Sequence, residues 1–313
     1  MYQQTLPRAT KAYANLLLRE QARLELRLKR SFRRVDDSFA PIAALLASTI
    51  AASQARVAEA GMAYTEELLG GFLEGVGDAS VAPLVGVTGA GVPVEEVFAG
   101  SRIMSTPQAL QLGYAWALQL AKTALSDTGR QSVALGMGTR RCGGYMRALV
   151  GKTCARCAVL AGALYWSEQA FQRHPQCDCQ HIPYRDTPNE KYLVNGTEYF
   201  ESLSEAEQDS VFGKAGAEAI RNGADLNQVV NARRGMKRAQ VFGKDLLVTS
   251  EGMTRRGLAY SRLRDRRLGD VKLPGQRYAQ ARAPRMMPES IREVAGTNQT
   301  LYLDLLKRHG YII

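Results

Sequence analysis

The sequence predicts a mainly α fold with a small α+β part: an N-terminal bundle of long helices, a small antiparallel sheet carrying a Cys/His knuckle, and helical C-terminal segments. Three observations carry this expectation. Apolar residues recur at helical spacing through most of the first 140 residues. Four cysteines and two histidines crowd into Cys154–His181. Short β-compatible runs bounded by turns surround that crowd. The chain has 313 residues, enough for one large domain or two small ones.

The first helix is expected from about Pro7 to Arg34, because Tyr13, Leu17, Leu24, Leu28 and Phe32 fall on one stripe. Its other face carries Arg19, Arg23, Arg27, Lys29, Arg30, Arg33 and Arg34, a solvated face or a contact for an acidic partner. Asp37-Ser38 can cap a second helix from Pro41 to about Leu73, since proline suits a first helical turn. A loop, DASVAPLVGVTGAGVP, follows. Its glycines match neither G-x-x-x-x-G-K-[ST] nor G-x-G-x-x-G, which argues against a phosphate loop. Thr106-Pro107 opens a third helix through Leu110, Leu112, Tyr114, Ala117, Leu118, Ala121 and Leu125, with a break expected near Gly129. These helices make residues 1–140 a bundle.

Over 141–186 the runs YMRALV, GALYW and CQHIPY read as strands of a small antiparallel sheet. Short helices are expected over 187–232. There Ser204 and Glu207 form a capping box, and Lys214–Asn222 and Asp225–Ala232 follow. Residues 233–285 are basic, punctuated by Gly and Pro, and weakly periodic, so they read as an extended, partly disordered arm. Helix signals return over 286–313, at Pro288–Ala295 and Asn298–Arg308.

The net charge of +11 and pI near 9.5 favour polyanionic partners. The N-terminal MYQQTLPRAT lacks a secretory h-region. The most apolar stretch, Phe39–Ala52, is too short for a membrane span and contains Pro41, so no membrane partner is expected. Five cysteines, an odd number with four clustered, argue against a secreted disulfide scaffold and fit a reducing compartment.

The strongest chemical signal is Cys154-x2-Cys157, then sixteen residues, then His174-Pro-Gln-Cys177-Asp-Cys179-Gln-His181. A Cys-x2-Cys turn converges two thiolates on one tetrahedral ion, and a second turn closes the shell. Cys154, Cys157, His174 and Cys177 would hold a structural zinc, with Cys179 able to replace His174 or Cys177. In an extended run Cys177 and Cys179 share a face and Asp178 points away. The competing readings are buried thiols or one disulfide pair; Cys142 stands apart as a core residue.

The run KTCARCAVLAGALYWSEQAFQRHPQCDCQHIP resembles the knuckle region of the MuF-like minor head proteins of tailed bacteriophages, closest to those of actinobacterial phages. The segments YFESLSEAEQDSVFGKAGAEAIRNGADLNQVVNARRGM and TSEGMTRRG, the helical N-terminal half and the C-terminal LLKRHGYI also resemble that group. The resemblance covers most of the chain, and HPQCDC is its most specific part. The wider group often reads Cys-Arg-Cys where this chain has Cys177-Asp178-Cys179, and many members lack the earlier pair. The resemblance implies a virion protein made in the host cytoplasm, held in few copies inside the head near the portal. It implies work in head morphogenesis with portal, capsid or scaffold proteins. Members are also commonly labelled capsid maturation proteases.

Among the residues themselves no catalytic constellation stands out, and no small-molecule substrate is expected. A protease would have to use His181 as its base, with Ser167 or Ser132 as nucleophile, or pair Cys142 with His181. No H-E-x-x-H motif is present. Glu205-Ala206-Glu207 imitates the paired glutamates of ADP-ribosyl transfer, but the capping box accounts for it. Segment 233–285 could neutralise packaged DNA or an acidic portal surface, since phosphate contacts need only loosely spaced Lys and Arg. Its few aromatics, Phe242, Tyr260 and Tyr278, argue against base stacking.

Overall fold

The structure, a computed structural model, describes residues 4–35, 39–77, 79–101, 107–150, 153–174, 177–241, 243–264, 269–272, 274–275 and 277–313. The chain is mainly α with a small antiparallel β part. It divides into two units, one built from Gln3–Thr153 and Ala161–Leu193, the other from Cys154–Leu160 and Val194–Ile313. No described helix is long and apolar enough to cross a membrane.

In the first unit α1 (Arg8–Ser31), α2 (Ala43–Leu69) and α4 (Pro107–Gly138) pack together, with the short α3 (Val94–Ala99) against α2. The stripe expected on α1 is the one buried: Tyr13, Leu17, Leu24 and Leu28 face inward. Leu17, Leu24 and Leu28 meet Leu46, Ile50 and Val57 of α2 and Ala121 and Leu125 of α4 in one core. Pro41 sits in a single 3-10 turn, Ala40–Ile42, that leads into α2. The proposed Asp37-Ser38 cap lies outside the described residues. α2 stops at Gly70, whose φ of 85° only glycine adopts readily. The sequence reading missed α3, since six residues are too few to show a period.

The break expected in α4 near Gly129 does not occur. Glycine is there for closeness: a Cβ would sit 2.8 Å from the Tyr13 hydroxyl and 3.2 Å from a Val57 methyl. The Tyr13 hydroxyl instead donates to the Gly129 carbonyl at 3.1 Å. The glycine-rich loop is held by Gln54 of α2, whose carbonyl accepts from Gly86 N–H and whose amide donates to Val87 O, both at 2.8 Å.

Two of the expected strands pair with each other. β1 (Gly144–Ala148) runs antiparallel to β2 (Gln180–Tyr184), with Met146 opposite Ile182 and Arg147 opposite His181. Tyr165, from the third expected strand, bridges to Tyr145. The β1–β2 pair and residues 4–138 belong to one unit.

The second unit holds α5 (Ala155–Ala161, its last residue aside), α6 (Gly196–Glu201), α7 (Glu205–Phe212), α8 (Lys214–Arg221) and α9 (Leu226–Ala232). The Ser204/Glu207 capping box forms at the start of α7. Residues 233–285 are not an extended arm. They carry β3 (Met236–Val241), β4 (Lys244–Thr249), α10 (Leu258–Leu263), β5 (Asp270–Val271) and β6 (Gln280–Ala281). β7 (Arg285–Met286) completes a three-stranded sheet in the order β3-β4-β7. α11 (Pro288–Ala295) and α12 (Gln299–Arg308) follow, and Val229, Leu246, Val248, Met286, Ile291, Tyr302, Leu306 and Tyr311 form the core.

The physical reason for the difference is how the arginines are used. Arg285 is fully buried: it donates to His309 O and Glu251 O, both at 2.8 Å, and lies over the Tyr311 ring. Arg234, Arg238 and Arg255 pair with Glu251, Asp245 and Asp270. A basic composition alone cannot distinguish such internal pairing from a solvated tail.

Candidate metal centre

Two turns carry the candidate ligands. Cys154 precedes α5, and its Sγ accepts a 3.4 Å hydrogen bond from Cys157 N–H. Arg156 between them donates to Asn231 Oδ1 at 2.6 Å. The second turn is closed by Cys177 N–H donating to His174 O at 3.1 Å.

The second turn is fastened from the helices. Asp178 Oδ1 accepts from Gln21 Nε2 of α1 at 2.6 Å and from Ser126 Oγ of α4 at 2.9 Å. Asp178 therefore points away from its neighbouring cysteines, as the alternation of an extended run requires. Arg130 of α4 donates through Nε to Cys179 O at 2.9 Å and through Nη2 to Cys177 O. Its Nη1 pairs with Asp127 at 2.7 Å, and Arg173 pairs with the same carboxylate. Burial lifts the Asp127 carboxyl above its usual range despite both arginines.

Donor atoms gather into two overlapping groups among the described residues. In one, Cys154, Cys157 and His174 offer atoms within 4.8 Å of one another; in the other, Cys157, Cys177 and Cys179 do. The groups share Cys157. Cys157, Cys177 and Cys179 are buried, and none of the five cysteines is in a disulfide. These groups are close enough to hold a metal ion. A tetrahedral zinc with Zn–S bonds of about 2.3 Å holds its sulfurs roughly 3.8 Å apart. Thiolates with an imidazole are the donor chemistry such an ion takes. All five residues expected from sequence belong to one group or the other, but no set of four falls within that spacing among the described residues.

The residues considered for proteolysis are placed differently. His181 and Ser167 line a cavity of about 420 Å³ together with Asp127, Arg130, Phe171 and Arg173. Ser132 and Cys142 do not line it. Ser132 Oγ donates to Gly129 O at 3.0 Å, inside α4. Cys142 is half-buried, its Sγ donates to Gly144 O at 3.3 Å, and burial raises its thiol pKa. The His181 ring lies 4.5 Å from both the Tyr145 and Phe171 rings, and among the described residues its Nδ1 has no hydrogen-bond partner. Burial, reinforced by Arg130 and Arg147, pulls its pKa down to about 3.

Sequence reasoning missed Gln21, Ser126, Asp127 and Arg130. A signal existed: Ser126, Asp127 and Arg130 interrupt the apolar stripe of α4 directly after Leu125, where polar residues are expected only if they are paired. No known protein family, curated protein or solved structure matches the chain.

Proposed function

We propose that this chain is a minor head protein of a tailed bacteriophage, of the MuF-like kind, acting in head morphogenesis beside the portal inside the procapsid. The observation that supports this reading most is the knuckle. The run that resembles the knuckle of that group, with HPQCDC as its most specific part, is also the run whose thiols and imidazole come close enough to hold a metal ion. In this reading the ion is zinc, held by Cys154, Cys157 and His174 with Cys177 or Cys179 as the fourth donor. A four-ligand site of this kind keeps no position open for water or substrate and serves as scaffolding. The protein is then made in the host cytoplasm and retained within the virion, against portal, capsid or scaffold proteins.

Co-expression with the portal, scaffold and major capsid proteins of the same phage tests it. The chain is expected to sediment with procapsids in few copies and to be lost when the portal is omitted. Particles that assemble without retaining it would overturn the reading.

A second reading, capsid maturation protease, has one observation in its favour: Ser167 and His181 line the same cavity. Against it, a base needs a pKa near the working pH and an orienting partner. His181 stays neutral down to about pH 3, and no partner among the described residues reaches its Nδ1. Capsid protein cleavage that disappears in His181→Ala and Ser167→Ala would establish this reading over the first.

A further inference from the structure

The three-stranded sheet ends in an open edge. Its order is β3-β4-β7, so β3 pairs with β4 on one side only. The register runs without a bulge from Met236 opposite Thr249 to Val241 opposite Lys244. Ser250 N–H donates to Gly235 O at 3.2 Å, which makes these two a hydrogen-bonded pair that continues the same register. Such pairs alternate along an antiparallel ladder. Lys237, Ala239 and Val241 therefore bond to β4, and the N–H and C=O groups of Met236, Arg238 and Gln240 point the other way. Leu247, opposite Arg238, gives the same phase from the β4 side. Its N–H donates to Ser290 Oγ at 2.7 Å and its carbonyl accepts from Met287 N–H at 2.9 Å, both away from β3.

The outward groups of Leu247 are thus satisfied, and those of β3 are not. Among the described residues nothing hydrogen-bonds to the outward backbone of Met236, Arg238 or Gln240, and all three residues are exposed. An edge six residues long, with no proline in it, is a template for another strand. Its two faces differ. Ala239 and Val241 pack with Leu246 and Val248 on the core side, where Lys237 also lies but stays exposed. Met236, Arg238 and Gln240 form the solvent side. The charge is one-sided: within 236–249 stand Lys237, Arg238 and Lys244 against Asp245 alone. Asp245 is taken by Arg238 at 3.1 Å, while Lys237 and Lys244 are exposed with no ion pair among the described residues. A second copy of the chain would bring like charges together at this edge, and an acidic strand would bring opposite ones.

We infer that the free edge of β3 receives an extended, acidic polypeptide segment as an added strand of the β3-β4-β7 sheet. The backbone of Met236, Arg238 and Gln240 supplies the donors and acceptors, and main-chain bonds of this kind carry the affinity of strand addition. Alternation along the incoming strand supplies selectivity. Carboxylates lie beside Arg238 on the solvent side, and small or β-branched apolar residues lie beside Ala239 and Val241 on the core side. The inference does not rest on the phage assignment or on the knuckle holding a metal.

The experiment uses the full chain and a blocked hexapeptide of alternating Val and Glu, with a Val/Lys peptide as its counterpart. Binding is read from the anisotropy of a labelled peptide, and the site from hydrogen exchange of the Met236, Arg238 and Gln240 amides. The Val/Glu peptide is expected to bind and to protect these amides, and the Val/Lys peptide to do neither. Only alternate peptide amides face β3, so N-methylation of one alternate set should abolish binding and that of the other should spare it. Gln240→Pro deletes an outward donor and leaves the β3–β4 ladder whole, and is expected to weaken binding about tenfold. Arg238→Gln is expected to weaken it about threefold, which keeps the test decisive if Gln240→Pro fails to fold. Unprotected amides, equal binding of the two peptides, or wild-type affinity in a folded Gln240→Pro or in Arg238→Gln would overturn the inference. So would amides already protected in a concentration-dependent dimer of the chain alone, which would give the edge to a second copy.

Discussion

Arg130 Nε donates to the Cys179 carbonyl oxygen at 2.9 Å, which ties the last candidate sulfur ligand to the middle of α4. The same guanidinium holds Cys177 O and the Asp127 carboxylate. Arg130→Gln removes these bonds together and leaves a buried carboxylate with only Arg173. Loss of such a buried pair costs on the order of 3 kcal/mol. Loosening the groups that orient metal ligands typically weakens metal binding about 10- to 100-fold. Chemical denaturation and a competitive chelator titration measure the two effects, and zinc affinity equal to wild type would show that the turn holds itself.

Cys157 is the sulfur that both donor groups share. Cys157→Ser should therefore remove metal whichever group carries it, whereas Cys154→Ser and Cys179→Ser should differ. Elemental analysis of purified protein is expected to give about one zinc per chain in the wild type and none in Cys157→Ser, with partial unfolding. Retention in Cys179→Ser with loss in Cys154→Ser would assign the first group. Zinc bound equally by all three variants would exclude the centre.

The α2–α4 contact offers a packing test. A Cβ at Gly136 would meet the Thr65 side chain at 2.1 Å from Oγ1 and 2.9 Å from Cβ. Thr65 is β-branched and stiff in a helix, so it cannot turn aside. Gly136→Ala gains up to about 1 kcal/mol of helix propensity. The forced separation of the helices costs roughly 1 to 3 kcal/mol, so a net loss in urea melts is expected. A stabilised variant would mean the helices separate without penalty.

Acid sensitivity should come in part from His309. Its Nδ1 accepts from Met286 N–H at 3.1 Å, it is 4% exposed, and burial, with Arg308 and Arg285 nearby, lowers its pKa to about 4. The unfolded chain takes up this proton near pH 6.5, the native state only near 4. The contribution is thus fully present above pH 6.5 and lost as pH falls towards 4, on the order of 3 kcal/mol in all. His309→Asn keeps an acceptor for Met286 and has nothing to titrate. Its stability should fall less than that of wild type between pH 7 and 4.5, and parallel curves would refute the assignment.

Binding of DNA through 233–285 also calls for a revised test. Deleting the segment would remove β3, β4 and Arg285 from a packed core, so any loss of binding would be uninformative. Lys237, Arg256 and Arg277 are exposed and can be changed to Gln without touching that core. If they meet phosphates, DNA retention should weaken and its salt slope fall by roughly one for each phosphate no longer neutralised. Retention unchanged in the triple variant would exclude this surface.

The helices were legible because the stripe of Leu17, Leu24 and Leu28 and the capping box at Ser204 are local signals. The β1–β2 strands were legible because YMRALV and CQHIPY are short, apolar and bounded by turns. What sequence concealed was the use of polar residues inside. Arg285 and Arg130 look like surface charge until a carbonyl-lined niche is placed around them, and that niche is assembled from residues distant in sequence. Gly129 read as a helix breaker for the same reason: its purpose is the neighbouring Tyr13, which no window around Gly129 contains.

Asp178, held between Gln21 and Ser126, carries one further consequence. A synthetic peptide covering 154–181 would keep every candidate donor yet leave behind the three side chains that set the second turn. Unlike a classical zinc finger, this motif should not be a portable module, and grafting it into another host would need matching stretches of α1 and α4 to travel with it.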